Sequence, residues 1–431
     1  MKKHILFLTI GLLLSHSLFA QQQKEITVKK IWQDYKFVGK SVPGFNFLKD
    51  GKHYTRLIDD KSIEQFDLVS GQPVKTIFTI SDIAEGQDFP DKFDSYTFSE
   101  GEDKILLETD SEKIYRRSSK AKYYVWDSAK KDLSLLTEGD KQGYATFNPS
   151  ADKVAYVVGN DLYYKDLASG KIAQITNDGK TNEIINGSAD WVYEEEFSFA
   201  QAFHWSPDGR KIAFMRFDET EVPEFTMTNF KGGLYPEYET FKYPKVGEKN
   251  AIVSVHIYDI ATNKTVKVDT GNEAEMYFPR IIWTKDANQL CVFRMNRHQN
   301  KLTLLLADAT KGSTKVLMEE TNKYYVDIHD NLTFLKDGKE FIWTSEKDGY
   351  NHIYLYDMNG KVKKQLTKGD YDVTAFYGIN EDTGMLYYKA AEKSPLEEHL
   401  FTINKKEKRK SNYDQNLVCT MHSLVAPSIT L

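Results

Sequence analysis

The chain is poor in the residues that build disulfide frameworks or metal sites. Its 431 residues include two cysteines, Cys291 and Cys419, far apart in the sequence. Two thiols cannot make a disulfide framework or a four-thiolate zinc site, and no other ligand cluster is evident, so neither a metal nor a cofactor is expected. Basic residues do not predominate. There are 57 Lys plus Arg against 63 Asp plus Glu, a formal net charge of −6, whereas a nucleic-acid partner needs a concentrated basic face. Long apolar runs are also missing. The stretch from Ile5 to Leu18 is shorter than the ~20 residues that cross a bilayer, and it has the surroundings of a secretory leader: Lys2 and Lys3 ahead, Ala20 at the cut, Gln21-Gln22-Gln23 beyond. Residues 1–20 are therefore expected to be a signal peptide on an exported chain. At the other end Lys405, Lys406, Lys408, Arg409 and Lys410 form a basic run, and Ser411 to Leu431 show neither alternation nor helical period. Residues 405–431 read as a basic, unpatterned tail.

What the chain has in quantity is aromatic side chains, 13% of the residues, with 26 Tyr and 25 Phe. Aromatics favour pleated strands, so the composition leans to β. Between the ends a two-part pattern recurs. The first part is an aromatic strand, a polar turn and an apolar strand, clearest at His204-Trp205-Ser206-Pro207-Asp208-Gly209 running into Ile212-Ala213-Phe214. Copies start at Phe45, Phe147, Trp283 and Phe334. The second part is an alternating strand that ends in Asp: Asp67, Asp127, Asp166, Asp259, Asp308 and Asp357, with Asn404 in a seventh copy. A period near 40–50 residues with about four strands per unit is the signature of a β-propeller blade. An all-β propeller over 45–404 is expected, with about seven repeats visible and the last one incomplete. One interval, from Asp166 to Asp259, is almost two periods long. It holds an insertion, a missed blade, or both, and insertions on one repeat are where function is commonly added.

That interval contains Asp190-Trp191-Val192-Tyr193-Glu194-Glu195-Glu196-Phe197. Three consecutive carboxylates among aromatics are either a solvated acidic turn or a group held against an apolar wall. In the second case Glu195 and Glu196 could both reach one cation, such as a substrate ammonium, through charge-assisted hydrogen bonds. The strings Phe217 to Pro223 and Tyr243 to Asn250 read as charged loops, and Cys291 reads as a core thiol in an apolar strand.

The string from Asp190 to Glu196 resembles the substrate-anchoring motif of the dipeptidyl peptidase IV family. The resemblance continues in order through Trp205 to Gly209, Asp218 to Pro223 and Tyr243 to Asn250, and more sparsely from about Ile26 to about Asn404. It implies an eight-bladed propeller followed by an α/β-hydrolase domain that releases X-Pro or X-Ala dipeptides from peptide N-termini. It also implies that Glu195 and Glu196, on a short helix near 190–200, hold the free ammonium, with Glu194 the non-contacting member. An arginine from an earlier blade would contact the dipeptide; Tyr115-Arg116-Arg117-Ser118 looks like that site, with Arg116 as the counterpart. The implied partner is thus a peptide with a free N-terminus, and a homo-oligomer is a further expectation.

The likeness stops short of catalysis. The sequence contains no Gly-x-Ser-x-Gly nucleophile elbow, so no catalytic residue is assigned. The chain reads as the N-terminal propeller region alone, as an early stop or frameshift would leave it. Residues 21–44, which in the family pack on the hydrolase domain, would then keep Ile31, Trp32, Tyr35 and Phe37 without a partner. Two alternatives stand beside a recognition module inactive alone: an exported propeller that is a plain binding scaffold, or one whose missing domain another chain supplies.

Overall fold

The computed structural model describes residues 25–39 and 44–406 and the backbone of 410–412. The leader read at 1–20, and Cys419 in the tail, lie outside the described residues. Residues up to Gly44 form one unit and Phe45 onward a second. In the first, Thr27 caps a single-turn helix, α1 (Val28–Trp32), by accepting from the Lys30 N–H at 3.2 Å. Trp32, Tyr35 and Phe37 are exposed.

Among the described residues the second unit contains seven antiparallel blade sheets, each a four-stranded meander that pairs in sequence order, with the first strand split in two in the fourth and fifth, and one separate two-stranded sheet. Six hydrophobic clusters join them serially, each drawn from two consecutive sheets. The period-2 pattern causes this arrangement. In strand Lys153–Val158, Val154 and Tyr156 pack toward the second sheet, while Ala155 and Val157 pack toward the fourth. Strand Gln289–Asn296 does the same, with Leu290 and Val292 on one side and Cys291 and Phe293 on the other. Serial face-to-face packing of four-stranded meanders is the β-propeller architecture. Cys291 is fully buried, and burial pushes its thiol far up.

All seven anchor residues terminate the third strand of a sheet. Their role is capping. Asp166 Oδ1 accepts from the Ser169 N–H at 2.9 Å and its hydroxyl at 2.7 Å. Asp67 makes the same bonds to Ser70 and Asp259 to Thr262, so the carboxylate closes the turn to the fourth strand. The aromatic-turn copies all fall between the first and second strands. In their Asp-Gly pairs only the glycine takes positive φ, +65° at Gly51 and +67° at Gly209.

Two findings differ from the expectations. The tail boundary at 405 is too early: Lys410–Asn412 pair with Phe401–Ile403 as the fourth strand of the seventh sheet. A three-residue edge strand held by backbone bonds leaves no hydrophobic alternation in Lys-Ser-Asn, so the pattern could not show it. The long interval holds one sheet with two insertions and no missed blade. The first strand of the fourth sheet is split into Ile184–Asn186 and Phe203–Trp205, both paired to Lys211–Asp218. The chain between them makes an excursion. The second insertion is the hairpin Glu224–Asn229/Glu237–Lys242, a two-stranded sheet of its own. Among the described residues there are seven blade sheets beside this hairpin, against the eight blades that the resemblance implied.

Close packing of neighbouring sheets makes one residue type irreplaceable at a recurrent place. Gly360, in the turn to the last strand of the sixth sheet, has φ +76°, and a Cβ there would collide with the carbonyl of Leu317 in the fifth. Gly312 stands in the same relation to Lys267 of the fourth sheet. Gly360→Ala is expected to lower stability by roughly 2–4 kcal/mol, from left-handed strain and overpacking together. Chemical denaturation checks this, and a loss under about 1 kcal/mol would show that the turn yields instead.

Candidate functional site

The excursion inside the fourth sheet carries α2 (Trp191–Glu196). Asp190 starts it by accepting from the Tyr193 N–H at 2.9 Å, which satisfies one of the orphan donors of a helix N-terminus. Tyr193 pins the helix. It is 2% exposed, sits edge-on to Phe197, Phe199 and Phe217 at 5.0 to 5.9 Å, and its hydroxyl accepts from the Phe278 N–H at 2.9 Å. At the other end Arg280 donates to the Phe197 carbonyl at 2.7 Å and pairs with Asp330. That cation lies where the helix dipole is negative.

Successive helical residues are turned by about 100°, so three adjacent carboxylates leave in three directions. Glu194 points inward and is 1% exposed. One of its oxygens accepts from the backbone N–H groups of Arg117, at 2.6 Å, and Ser118, at 2.9 Å. Glu195 turns sideways, and Arg116 Nε donates to both its oxygens at 3.0 Å. Glu196 is exposed and has no hydrogen bond or ion pair among the described residues. Burial pushes up the Tyr325 phenol, with Asp327 and Glu196 adding to the rise.

Arg116 occupies the tip of a long hairpin in the second sheet, between Lys104–Lys113 and Ser119–Asp127. Ser118 closes the tip: its hydroxyl accepts from the Tyr115 N–H at 2.9 Å and its carbonyl from the Ile114 N–H at 3.0 Å. The structure thus brings Arg116, Glu195 and Glu196 into one neighbourhood. Of the two adjacent arginines, Arg116 offers its side chain to the carboxylates and Arg117 its backbone. The trio carries a net charge of −1, since the guanidinium neutralises one carboxylate. Two acceptors with one residual negative charge suit a single ammonium. The Arg116–Glu195 pair adds little stability, because the arginine side chain is 71% exposed.

Glu194 acts through what it holds, which the acidic string alone did not reveal. The burial of two more carboxyls, the helix cap Asp190 and Glu219, also escaped the sequence reading. Asp190 and Glu219 are 5% and 6% exposed. Burial pushes Asp190 up to about 6. Burial, with Asp190 and Asp218 nearby, pushes Glu219 from 4.5 up to about 7, against a lowering by Lys242. Each acid is therefore favoured neutral in the fold. For Glu219 the stability contribution is complete below pH 4.5 and disappears as pH rises through about 7. Glu219→Gln is expected to be more stable than the parent chain at pH 8 by on the order of 2 kcal/mol, with the gain vanishing near pH 5. Thermal unfolding at both pH values tests this, and a gain independent of pH would refute it.

Beside Glu195 and Arg116 opens a cleft of about 650 Å³, whose walls include Trp191, Phe225, Phe241 and Tyr243. Residues 217–223 and 243–250, read as charged loops, contribute the buried Glu219, which feels the charge of Asp190, and Tyr243 and Lys245 to this cleft.

Comparison with known proteins identifies the family of the chain. Residues 99–424 match the family model described as the dipeptidyl peptidase IV (DPP IV) N-terminal region. A probable dipeptidyl peptidase 4 of Arthroderma benhamiae is 30% identical over 380 residues, covering 84% of this chain and 47% of that protein. The dipeptidyl peptidase 4 of Arthroderma otae is 32% identical over 316 residues, 70% of this chain and 40% of its own. The crystal structure of Porphyromonas gingivalis dipeptidyl peptidase 4 superposes with a TM-score of 0.85 at 36% identity, over 91% of this chain and 56% of that one. The chain thus spans about half the length of the relatives it matches. With most of its length matched in this way, the chain belongs to the dipeptidyl peptidase IV family, as the N-terminal region of that family.

Proposed function

We propose that these residues recognise the free N-terminus of a peptide. Glu195 and Glu196 hold the ammonium, and Arg116, held toward the helix by Glu195, contacts the first peptide units. The substrate class is that of the family, peptides with Pro or Ala in second position. The observation that carries this reading is the pairing of one carboxylate with Arg116 while its neighbour stays open to a cation. Anchoring an ammonium supplies binding and orientation, not bond cleavage. With no elbow serine in its sequence, the 431-residue chain acts here as a recognition module and does not turn over a Gly-Pro substrate by itself.

Isothermal titration with a peptide beginning Gly-Pro and with its N-acetylated form tests the reading. Binding of the free amine and not of the acetylated peptide is expected. Equal binding of both would favour a general scaffold, indifferent to the terminal amine.

A further inference from the structure

The three glutamates of α2 are not held alike. Glu194 is fixed by two backbone N–H groups and Glu195 by Arg116. Glu196, the last residue of the helix, has no hydrogen bond or ion pair of its own among the described residues, so its place depends on the helix backbone. That backbone is weak at this end. A helix of six residues is marginal by itself, and its last carbonyls have no partner within the helix. The chain then leaves through Ser198 at φ +62°, a left-handed position where glycine is usual.

Arg280 meets the helix there. It lies between the two pieces of the split first strand of the fifth sheet, Met276–Tyr277 and Ile281–Trp283. Its Nη1 donates to the Phe197 carbonyl, one residue beyond Glu196, at 2.7 Å, and to the Pro279 carbonyl at 2.6 Å. Nε and Nη2 fork onto the two oxygens of Asp330, Nη2 at 3.2 Å, and the guanidinium stands 5.4 Å from the centre of the Phe199 ring. A planar guanidinium can serve a carbonyl, a carboxylate and a ring face at once, which a lysine ammonium cannot. Asp330 is in turn flanked by two fixed neighbours. His329 Nε2 donates to the Thr344 carbonyl at 2.8 Å, and Asn331 Nδ2 donates to Thr344 Oγ1 at 2.9 Å. Thr344 is fully buried in the sixth sheet. The exit of α2 is thus tied, through Arg280 and Asp330, to two further blades.

We propose that Arg280 is a positioning residue for the ammonium site: by clasping the end of α2 it sets where Glu196 stands, and it governs peptide affinity through that carboxylate. The inference rests on the reading of Glu195 and Glu196 given above. The second-sheet hairpin holds Glu194 and Glu195, and the fifth and sixth sheets hold the turn that carries Glu196. With the clasp open, the last turn of so short a helix frays, and Glu196 has to be ordered anew each time a peptide binds. Fixing the backbone of one residue at that moment lowers affinity by roughly 5- to 30-fold.

Arg280→Lys keeps the charge and loses the fork. The test titrates the 431-residue chain calorimetrically with Gly-Pro-Ser-Gly and its N-acetylated form, with Arg280→Lys alone and combined with Glu196→Gln. Arg280→Lys is expected to weaken binding of the free-amine peptide by roughly 5- to 30-fold. In the Glu196→Gln background the same change is expected to cost less than about twofold, because a residue that acts through another has nothing left to act on. Hydrogen exchange of the Phe197 amide, which donates to the Tyr193 carbonyl at 3.1 Å, is expected to quicken in Arg280→Lys. Asp330→Asn, at an exposed partner, provides the same comparison should the first variant fold poorly. An equal loss of affinity in both backgrounds shows a general effect on the fold and overturns the proposal. Free-amine binding by Arg280→Lys within about twofold of the parent also overturns it and leaves the ammonium site standing. Equal binding of the acetylated peptide by the parent chain overturns the ammonium site, and the role of Arg280 with it.

Discussion

Glu195→Gln and Glu196→Gln are each expected to weaken binding of a free-amine peptide by roughly 10- to 100-fold, and the double variant to abolish it in the millimolar range. Each substitution removes one charge-assisted hydrogen bond, worth about 1.5–3 kcal/mol when the partner is charged. The two differ in their side effects. Glu196 has no partner among the described residues, so its replacement leaves the local structure as it is. Replacing Glu195 by Gln also loosens Arg116, since only one of its two 3.0 Å contacts keeps an oxygen acceptor and the charge is gone. The peptide titration separates these effects: Glu196→Gln alters affinity with unchanged thermal stability, while Glu195→Gln additionally loosens the arginine. A Glu196→Gln chain that binds the free-amine peptide within about threefold of the parent would show that the exposed carboxylate is only a solvated charge.

The second large effect concerns Glu194, a positioning residue. Its inward oxygen satisfies two backbone N–H groups that have no other acceptor in the hairpin tip. Glu194→Ala leaves both unpaired beside a residue, Ser118, that is 4% exposed. At about 1–3 kcal/mol for each buried unsatisfied donor, the expected loss is about 2–5 kcal/mol. Glu194→Gln keeps the accepting oxygen, since both bonds end on the same atom, and should recover most of it. Thermal unfolding gives the stability difference, and hydrogen exchange of the Arg117 and Ser118 amides shows whether the tip has opened. A merely space-filling role predicts that Gln and Ala differ by packing alone, with the two amides protected in both. The functional consequence is also distinct: in Glu194→Ala, Arg116 is no longer presented to Glu195, so peptide affinity falls although no residue of the ammonium site has been changed.

Most of the fold was legible because a propeller repeats its local chemistry. An Asp at the end of each third strand recurs since the same turn needs the same carboxylate to cap it, and alternating Tyr, Phe and Trp recur since every inner strand has two buried faces. Elements that break the repeat were harder to read. The inserted hairpin appeared only as extra length between Asp166 and Asp259, and the excursion carrying α2 was legible beyond that only through the resemblance of its acidic string. The last strand, Lys410–Asn412, had no pattern to read because its contribution is backbone pairing.

The candidate site divides in the same way. The run Glu194-Glu195-Glu196 marks a concentration of charge, and a helical turn of about 100° per residue separates three directions. Which direction meets a backbone, which an arginine and which solvent depends on the second-sheet hairpin, some eighty positions away in the chain. The raised Asp190 and Glu219 carboxyls depend likewise on burial, a property of packing and not of residue type. Residues 115, 191, 225 and 243 share no local motif, and only the meeting of two hairpins and a helix makes one cleft of them. The amino-acid sequence by itself determined the β-propeller and its blade period, because these follow from local periodicity and turn chemistry, and it pointed to Arg116, Glu195 and Glu196 only through a resemblance to a known family. Tertiary structure alone decided which backbone Glu194 holds, which carboxylate Arg116 meets and the existence of the aromatic cleft, because these arise from contacts between segments whose separation in sequence carries no periodic signal.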